Sequence, residues 1–164
     1  MIDSAYKKEN IDKLLEWLKA ESVLTQDGQK IPNTGLTKLH KYTIVRKVYA
    51  DSHYTQDFKD DLLKTVIGDA KDDQAKNLKL ACQSLNPTPE GKEKSWLDIT
   101  NFKAGYSSYE WNTLWANFFS RKSLDITKPY FPKLIQKIRE VADCGDKEYI
   151  EAFIDNLIPT YGID

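Results

Sequence analysis

The chain has 164 residues, which is enough for a domain with a buried core, and 24 Lys and Arg against 25 Asp and Glu leave a net charge of −1. Because both signs are interspersed, the charge pattern argues against a nucleic-acid-binding protein. No apolar run approaches the roughly 20 residues of a membrane span, and the first ten residues lack a signal-peptide core. Cys82 and Cys144 stand far apart, so we expect free thiols and a reducing compartment, the cytoplasm.

The first 68 residues show three segments with helical spacing of apolar residues. A first helix is predicted over Asn10–Lys19, and the segment Thr25–Gly35, rich in Asp, Gly, Pro and Asn, is predicted to be a loop. Helices are predicted next over Leu36–Ala50 and Gln56–Ile67, with Gly68 as a C-terminal stop. The predicted apolar stripes are Ile11, Leu14, Leu15 and Leu18, then Leu39, Tyr42, Val45 and Tyr49, then Phe58, Leu62 and Val66.

The stretch from Asp72 to Thr100 predicts two helices joined by a short turn. Asp72 or Asp73 can cap the first helix, and Asn86 and Pro87 end it. Thr88 can then cap a second helix that begins with Pro89, a residue without the N–H group that would be unpaired at that position. Such a pair forms an αα-hairpin with one buried and one solvated face.

Three further helices are predicted in the last third of the chain. Ser108 is expected to cap the first, which has the heaviest apolar stripe: Trp111, Leu114, Trp115, Phe118 and Phe119. The second covers Pro129–Val141, with Pro132 confined to its first turn. The third covers Lys147–Leu157 and ends before Pro159.

These segments predict an all-α fold of about eight antiparallel helices with no period-two strand. A helical pair recurs about every 36 residues, which is typical of an α-α superhelix of HEAT-like or armadillo-like pairs. Residues 1–164 are therefore predicted to form a single helical-repeat unit. If the array is cut from its neighbours, the helix containing Ile11, Leu18 and Trp17 is where we expect an exposed apolar edge.

The sequence predicts no catalytic, cofactor-binding or metal-binding residue in this chain. His40 and His53 have no partner at metal-ligand spacing, and the zinc-protease pattern H-E-x-x-H is absent. The acidic residues Asp69, Asp72 and Asp73 lie where one helix ends and another begins, so helix capping explains them better than a carboxylate site does.

The organising hairpin resembles the C-terminal α-helical domain of the aminopeptidase N and puromycin-sensitive aminopeptidase family. The residues that correspond to the family pattern D-x-x-D-A…C-x-(A/S)-x-x-P-x-x-x-x-K-x-x-W are Asp69, Asp73, Ala75, Cys82, Ser84, Pro87, Lys92 and Trp96. The spacing here is one residue longer than the pattern from Asp69 to Asp73, from Asp73 to Ala75 and from Lys92 to Trp96. A second stretch, with Leu124, Pro129, Tyr130 and Phe131, is similar to the L-x-x-P-Y-F helix of that domain, although four residues rather than two separate Leu124 from Pro129. Lys41–Ser52 fits the preceding helix, and the resemblance covers residues 36–158.

The resemblance implies a parent enzyme that removes N-terminal residues from peptides with a zinc ion, although the zinc ligands and the G-x-M-x-N substrate strand of the family are not in this chain. It implies that the chain is the distal part of a larger C-terminal helical domain, which partners the catalytic domain and closes the cavity that holds the peptide. Relatives often have a cavity-facing basic residue where Glu110 and Asn112 stand here, so these two are possible cavity-facing residues. The alternative is a stand-alone helical scaffold that binds a protein partner.

Overall fold

The computed structural model describes residues 7–156, with the side chain of Arg121 left out. Contacts between Cα atoms divide the chain into two compact units, one ending at Ala70 and the other beginning at Lys71. Helices dominate both units, so the all-α prediction is confirmed. The superhelical arrangement and the single repeat unit over residues 1–164 stay predictions. No helix in the described range is both long and apolar enough to cross a membrane.

From residue 7 onward, the first unit contains three helices and a small β-hairpin. The helices are α1 (Lys8–Ala20), α2 (Lys38–Tyr49) and α3 (Gln56–Ile67), and the antiparallel strands are β1 (Ser22–Leu24) and β2 (Lys30–Gly35). The prediction of a loop over Thr25–Gly35 without any strand is therefore wrong for Lys30–Gly35. Most of β2 is exposed, so it lacks the alternation of buried and exposed residues that marks a strand in a sequence.

The core of the first unit lies between α1 and α2. Ile11, Leu14 and Leu15 of α1 pack with Ile44 and Val48 of α2. The expectation that the apolar face of α1 forms an exposed edge is therefore wrong.

The predicted apolar stripes of the first unit are also wrong at two positions, Leu39 and Phe58, which are exposed. Leu39 is 73% exposed because it lies in the first turn of α2, away from the buried face of that helix. Phe58 is 40% exposed and stacks on Tyr54, with ring centroids 5.5 Å apart. Lys59, the next residue of α3, is buried instead of Phe58.

The described part of the second unit, up to residue 156, contains six helices, and five of them begin within two residues of the predicted position. They are α4 (Asp73–Leu85), α5 (Pro89–Ile99), α6 (Ser108–Phe118), α7 (Leu124–Thr127), α8 (Tyr130–Ala142) and α9 (Lys147–Asn156). The single-turn helix α7 lies between two predicted helices, in a stretch for which no helix was predicted. Single 3-10 turns cover Phe102–Ala104 and Arg121–Ser123. The predicted end of the last helix at Leu157, before Pro159, lies outside the described residues.

Side-chain caps define where the helices of the second unit begin. Asp72 accepts a hydrogen bond from the Ala75 N–H, and Thr88 accepts one from the Gly91 N–H with Pro89 in the first position of α5, as predicted. The cap of α6 is Ser107 rather than the predicted Ser108, because Ser107 has the extended backbone that precedes a helix.

A cluster of aromatic side chains fills the core of the second unit. Trp96 contacts Trp115, Phe118 and Tyr130, with ring centroids 5.1 to 6.3 Å apart. Trp115 also meets Phe153 of α9 edge to face at 5.0 Å. The predicted heavy stripe of α6 is confirmed as core, since Trp111, Leu114, Trp115, Phe118 and Phe119 are all buried.

Candidate functional site

The residues behind the aminopeptidase resemblance are mostly buried in the second unit. Ala75, Cys82, Ser84, Pro87, Lys92 and Trp96 are all inaccessible or nearly so. The exceptions are the exposed residues Asp73, at the start of α4, and Asp69, in the first unit. These motif residues therefore determine how helices pack, and the place where they meet is the best-defined polar site of the chain.

We call this place the Lys92 junction, formed by Ser84, Lys92, Trp96, Leu114 and Phe118 from α4, α5 and α6. The Ser84 hydroxyl donates a hydrogen bond to the Leu114 carbonyl at 2.6 Å. Ser95 of α5 is also buried, and its hydroxyl donates a hydrogen bond to the Gln83 carbonyl at 3.1 Å. These two hydroxyls tie α4 to α6 and α5 to α4.

The side-chain nitrogen of Lys92, Nζ, lies at the centre of the junction. The residue is 0% exposed, and its Nζ atom donates hydrogen bonds to the carbonyls of Ser84 and Phe118, both at 2.6 Å. Both carbonyls belong to the last turn of their helices, where backbone acceptors lack intrahelical partners and the helix end is partially negative. The Nζ atom also lies 5.0 Å from the centroid of the Phe118 ring. Burial lowers the pKa of Lys92 from its ordinary value of 10.5 to about 7.

The first unit contains a lysine in an equivalent place. Lys59 is also buried, and its Nζ donates to the carbonyl of Tyr49, the last residue of α2, at 3.0 Å. Each lysine is the fourth residue of its helix and follows a capping threonine, Thr55 or Thr88. The hairpins α2–α3 and α4–α5 therefore use the same device, in which a lysine of the second helix caps the end of the first.

The spacing Thr-x-x-x-Lys is shared by Thr55 and Lys59 and, 33 residues later, by Thr88 and Lys92. It also occurs at Thr34–Lys38, Thr37–Lys41 and Thr43–Lys47, where the lysine is not buried, so the spacing alone does not identify the device. A spacing of 33 residues falls within the range of helical-pair repeats. Lys92 was identified only as a motif residue, because hydrophobic periodicity assigns lysine to the solvated face.

The two possible cavity-facing residues lie in different surroundings. Glu110 is 7% exposed, and its Oε2 atom accepts hydrogen bonds from the Ser107 N–H at 2.8 Å and from the Ser107 hydroxyl at 3.0 Å, which completes a capping box. Its Oε1 atom pairs with the Lys76 Nζ at 2.5 Å. The hydrogen bond from Lys76 is the main cause that lowers the pKa of the Glu110 carboxyl group. Glu110 is therefore largely buried within the second unit.

Asn112, in contrast, is exposed. Its Oδ1 atom accepts a hydrogen bond from the Asn156 side chain of α9 at 3.0 Å. Whether Asn112 or Glu110 faces a cavity of a larger protein stays a prediction.

The histidines and the acidic residues take structural positions. The Thr37 N–H donates to the His40 Nδ1 atom at 3.4 Å, so His40 fills the capping-box position that Glu or Gln usually takes. The His53 Nδ1 atom lies 2.7 Å from the carboxylate of Asp51, which is buried. Within residues 7–156, no group of three or more His, Cys, Asp or Glu side chains is placed to hold a metal ion.

The Lys92 junction can hold helices together, but its geometry gives no access to a substrate. A lysine with a lowered pKa is a stronger nucleophile at neutral pH than an ordinary one, yet Lys92 is fully covered by protein atoms.

A scan against protein-family models finds no match for this chain, and neither does a search of the curated proteins. The functional proposal therefore depends on the motif residues and on where the structure places them.

Proposed function

We propose that this chain is the distal part of the C-terminal helical domain of a cytoplasmic zinc aminopeptidase. In this role it closes and shapes the cavity that holds the peptide substrate. The catalytic domain of the parent enzyme, which is its partner, binds the zinc ion and carries out the hydrolysis. The chain itself supplies a helical wall and takes no part in bond breaking.

The observation that carries the proposal is the Lys92 junction. Ser84, Lys92 and Trp96 are residue types that match the aminopeptidase motif, and each has a packing role that explains why it is needed. A buried lysine that caps two helices is an unusual solution, because burying a charge or an unpaired amine is costly. A motif that encodes such a solution supports a shared arrangement of helices rather than a chance match at the surface.

The environment of Glu110 and Asn112 refines this role. The Glu110 carboxylate is already engaged by Ser107 and Lys76, so it is poorly suited to receive the amine of a peptide. The exposed Asn112 amide can form hydrogen bonds with a peptide backbone without desolvating a charge. Of the two residues, Asn112 is therefore the better candidate for contact with a peptide in the cavity.

Immunoprecipitation from the natural source tests the proposal. An antibody raised against this chain should capture a polypeptide several times larger than the 18.9 kDa of the present sequence. The captured material should release aminoacyl reporters, lose that activity with a chelator and regain it with zinc. Precipitation in the presence of excess purified chain serves as the control. A captured species of 18.9 kDa without aminopeptidase activity would contradict the proposal.

The second candidate is a stand-alone scaffold that binds a protein partner. It is favoured by apolar side chains at the surface of α8, where Ile135 is 68% exposed and Ile138, one turn later, is also exposed. The same immunoprecipitation separates the candidates. Capture of the 18.9 kDa chain with a stoichiometric partner that lacks zinc would favour the scaffold.

A further inference from the structure

We propose that the outer face of the α8–α9 hairpin binds the same face of a second copy of this chain, so that α8 of one copy lies against α9 of the other. We call this surface the end face and define it by Ile135, Ile138 and Arg139 of α8 and by Glu151 and Ile154 of α9. The inference does not depend on the proposed function, because it uses only the packing and the charges of the second unit.

The end face exposes apolar side chains that the rest of the chain does not cover. Ile135 is 68% exposed, Ile138 is 41% exposed and Ile154 is 60% exposed. Single exposed apolar residues are ordinary on a protein surface, but these three belong to two helices that pack against each other. A group of exposed apolar side chains on one surface indicates a contact with another protein molecule.

Helix geometry places Ile135 and Ile154 on the same outer side of the hairpin. Tyr130 of α8 packs on a tryptophan of α5 with ring centroids 5.1 Å apart, and Tyr149 of α9 packs on a tryptophan of α6 at 4.8 Å. Each isoleucine comes five residues after one of these tyrosines, and five residues rotate a helix by about 140°. Both isoleucines therefore point away from α5 and α6, the helices against which the hairpin packs.

The same two isoleucines are level along the hairpin. Ile135 lies seven residues before α8 ends at Ala142, and Ile154 lies seven residues after α9 begins at Lys147. A four-residue turn joins the two helices, so they run antiparallel as neighbours. Residues at equal distances from the turn therefore lie side by side.

Opposite charges on the two helices select a second copy as the partner. α8 contains three basic residues and one acidic residue, a net charge of +2, whereas α9 contains one basic residue and three acidic residues, a net charge of −2. Such a face is complementary to itself when a two-fold axis parallel to the helices places α8 on α9 of the other copy. An axis perpendicular to the helices would instead place α8 on α8, with like charges opposed.

A two-fold axis parallel to the helices also fixes which residues meet, because it leaves the level along the hairpin unchanged. Ile135 then meets Ile154 of the second copy. Arg139, three residues before the end of α8, meets Glu151 of the second copy, which lies four residues after the start of α9. Glu151 is exposed, and its ion pair with Lys147 is loose at 3.8 Å, so its carboxylate is accessible to Arg139. By symmetry each contact occurs twice.

The size of the end face predicts a weak dimer. A 13-residue helix such as α8 is about 20 Å long, and packed helices lie about 8–10 Å apart. A face two helices wide is smaller than the roughly 800 Å² that each partner buries in an interface of standard size. We therefore expect a dissociation constant in the micromolar range.

Sedimentation equilibrium of the 164-residue chain, from low micromolar to millimolar concentration, tests the dimer. We expect a reversible monomer–dimer equilibrium. Ile135→Asp should raise the dissociation constant by about tenfold or more, because it removes two apolar contacts and places a negative charge against α9. Leu97→Asp is the matched control, since Leu97 is an apolar residue of α5 that is 61% exposed, and it should leave the constant unchanged. Circular dichroism checks that both variants keep the helical content of the parent.

Charge reversal tests how the two copies are aligned. Arg139→Glu or Glu151→Arg alone places like charges opposite each other at two points, and each should raise the dissociation constant about fivefold at low ionic strength. The double variant restores opposite charges and should return the constant to within about twofold of the parent. A strict monomer at millimolar concentration, an unchanged dimer in Ile135→Asp, or a double variant no tighter than the single variants would overturn the proposal.

Discussion

Replacement of Trp115 by alanine is the sharpest test of the assignment of the α6 stripe to the core. Trp115 is 1% exposed and lies edge to face with Trp96 and Phe153 at centroid distances of 6.3 and 5.0 Å. Large-to-small replacement of a buried aromatic residue costs about 3–5 kcal/mol through lost transfer free energy and the cavity that remains. The Trp115 Nε1 group has no hydrogen-bond partner in the described part of the chain, so no lost hydrogen bond adds to this cost. We expect the upper part of the range, because each aromatic pair contributes about 0.5–1.5 kcal/mol beyond its buried area.

The assay is denaturant unfolding followed by circular dichroism, with the two units fitted as separate transitions. Tyr109→Ala is the matched control, since Tyr109 is an aromatic residue of the same helix that is 67% exposed, and it should change the free energy of unfolding by about 0.5 kcal/mol at most. A loss of 3 kcal/mol or more in Trp115→Ala is a large part of the roughly 5–15 kcal/mol of a typical domain. Equal stability of Trp115→Ala and the parent would show that the apolar stripe of α6 does not pack in the core of the second unit.

Three further predictions concern α6, the Lys92 junction and zinc. Glu110→Ala should lower the free energy of unfolding by about 0.3–1.5 kcal/mol through loss of the capping box, whereas Asn112→Ala should change it by about 0.5 kcal/mol at most. Because the pKa of Glu110 is lowered in the fold, its contribution should be present above its ordinary value of 4.5 and be lost as the pH falls below it, which acid unfolding of parent and variant compares. Ser84→Ala should cost about 0.5–1.5 kcal/mol in urea unfolding, since one buried hydrogen bond between α4 and α6 is lost, and no change would contradict a stabilising role for that bond. The purified chain should contain no stoichiometric zinc, and a chelator should leave its thermal midpoint unchanged; metal analysis that finds one tightly bound zinc per chain would refute this.

Helix boundaries could be predicted well because they depend on local chemistry. Thr88 with Pro89, Gly68 after α3 and Pro132 in the first turn of α8 each restrict the backbone within a few residues. The hairpin of β1 and β2 was missed for the opposite reason. Its residues are mostly exposed, and Pro32 and Gly35 are typical of loops, so no local pattern distinguishes this strand pair from a loop.

The Lys92 junction could be predicted only in part. Helical spacing predicted that apolar residues such as Leu114 and Phe118 lie on a buried helix face. A sequence pattern does not show that a lysine is buried among them. The burial of Lys92 follows from tertiary structure, because the carbonyl ends of α4 and α6 meet at one point beside α5. In the same way, Glu110 was identified only as a possible cavity-facing residue, although the Ser-x-x-Glu spacing from Ser107 to Glu110 is a capping box.

Sequencing the transcript that encodes this chain tests the proposal that it is part of a zinc aminopeptidase. We expect the reading frame to continue upstream of the Met1 codon and to encode H-E-x-x-H with a more distant glutamate, the ligands that zinc needs for peptide hydrolysis. An in-frame stop codon directly upstream of the Met1 codon, with no such ligand set in the frame, would contradict it.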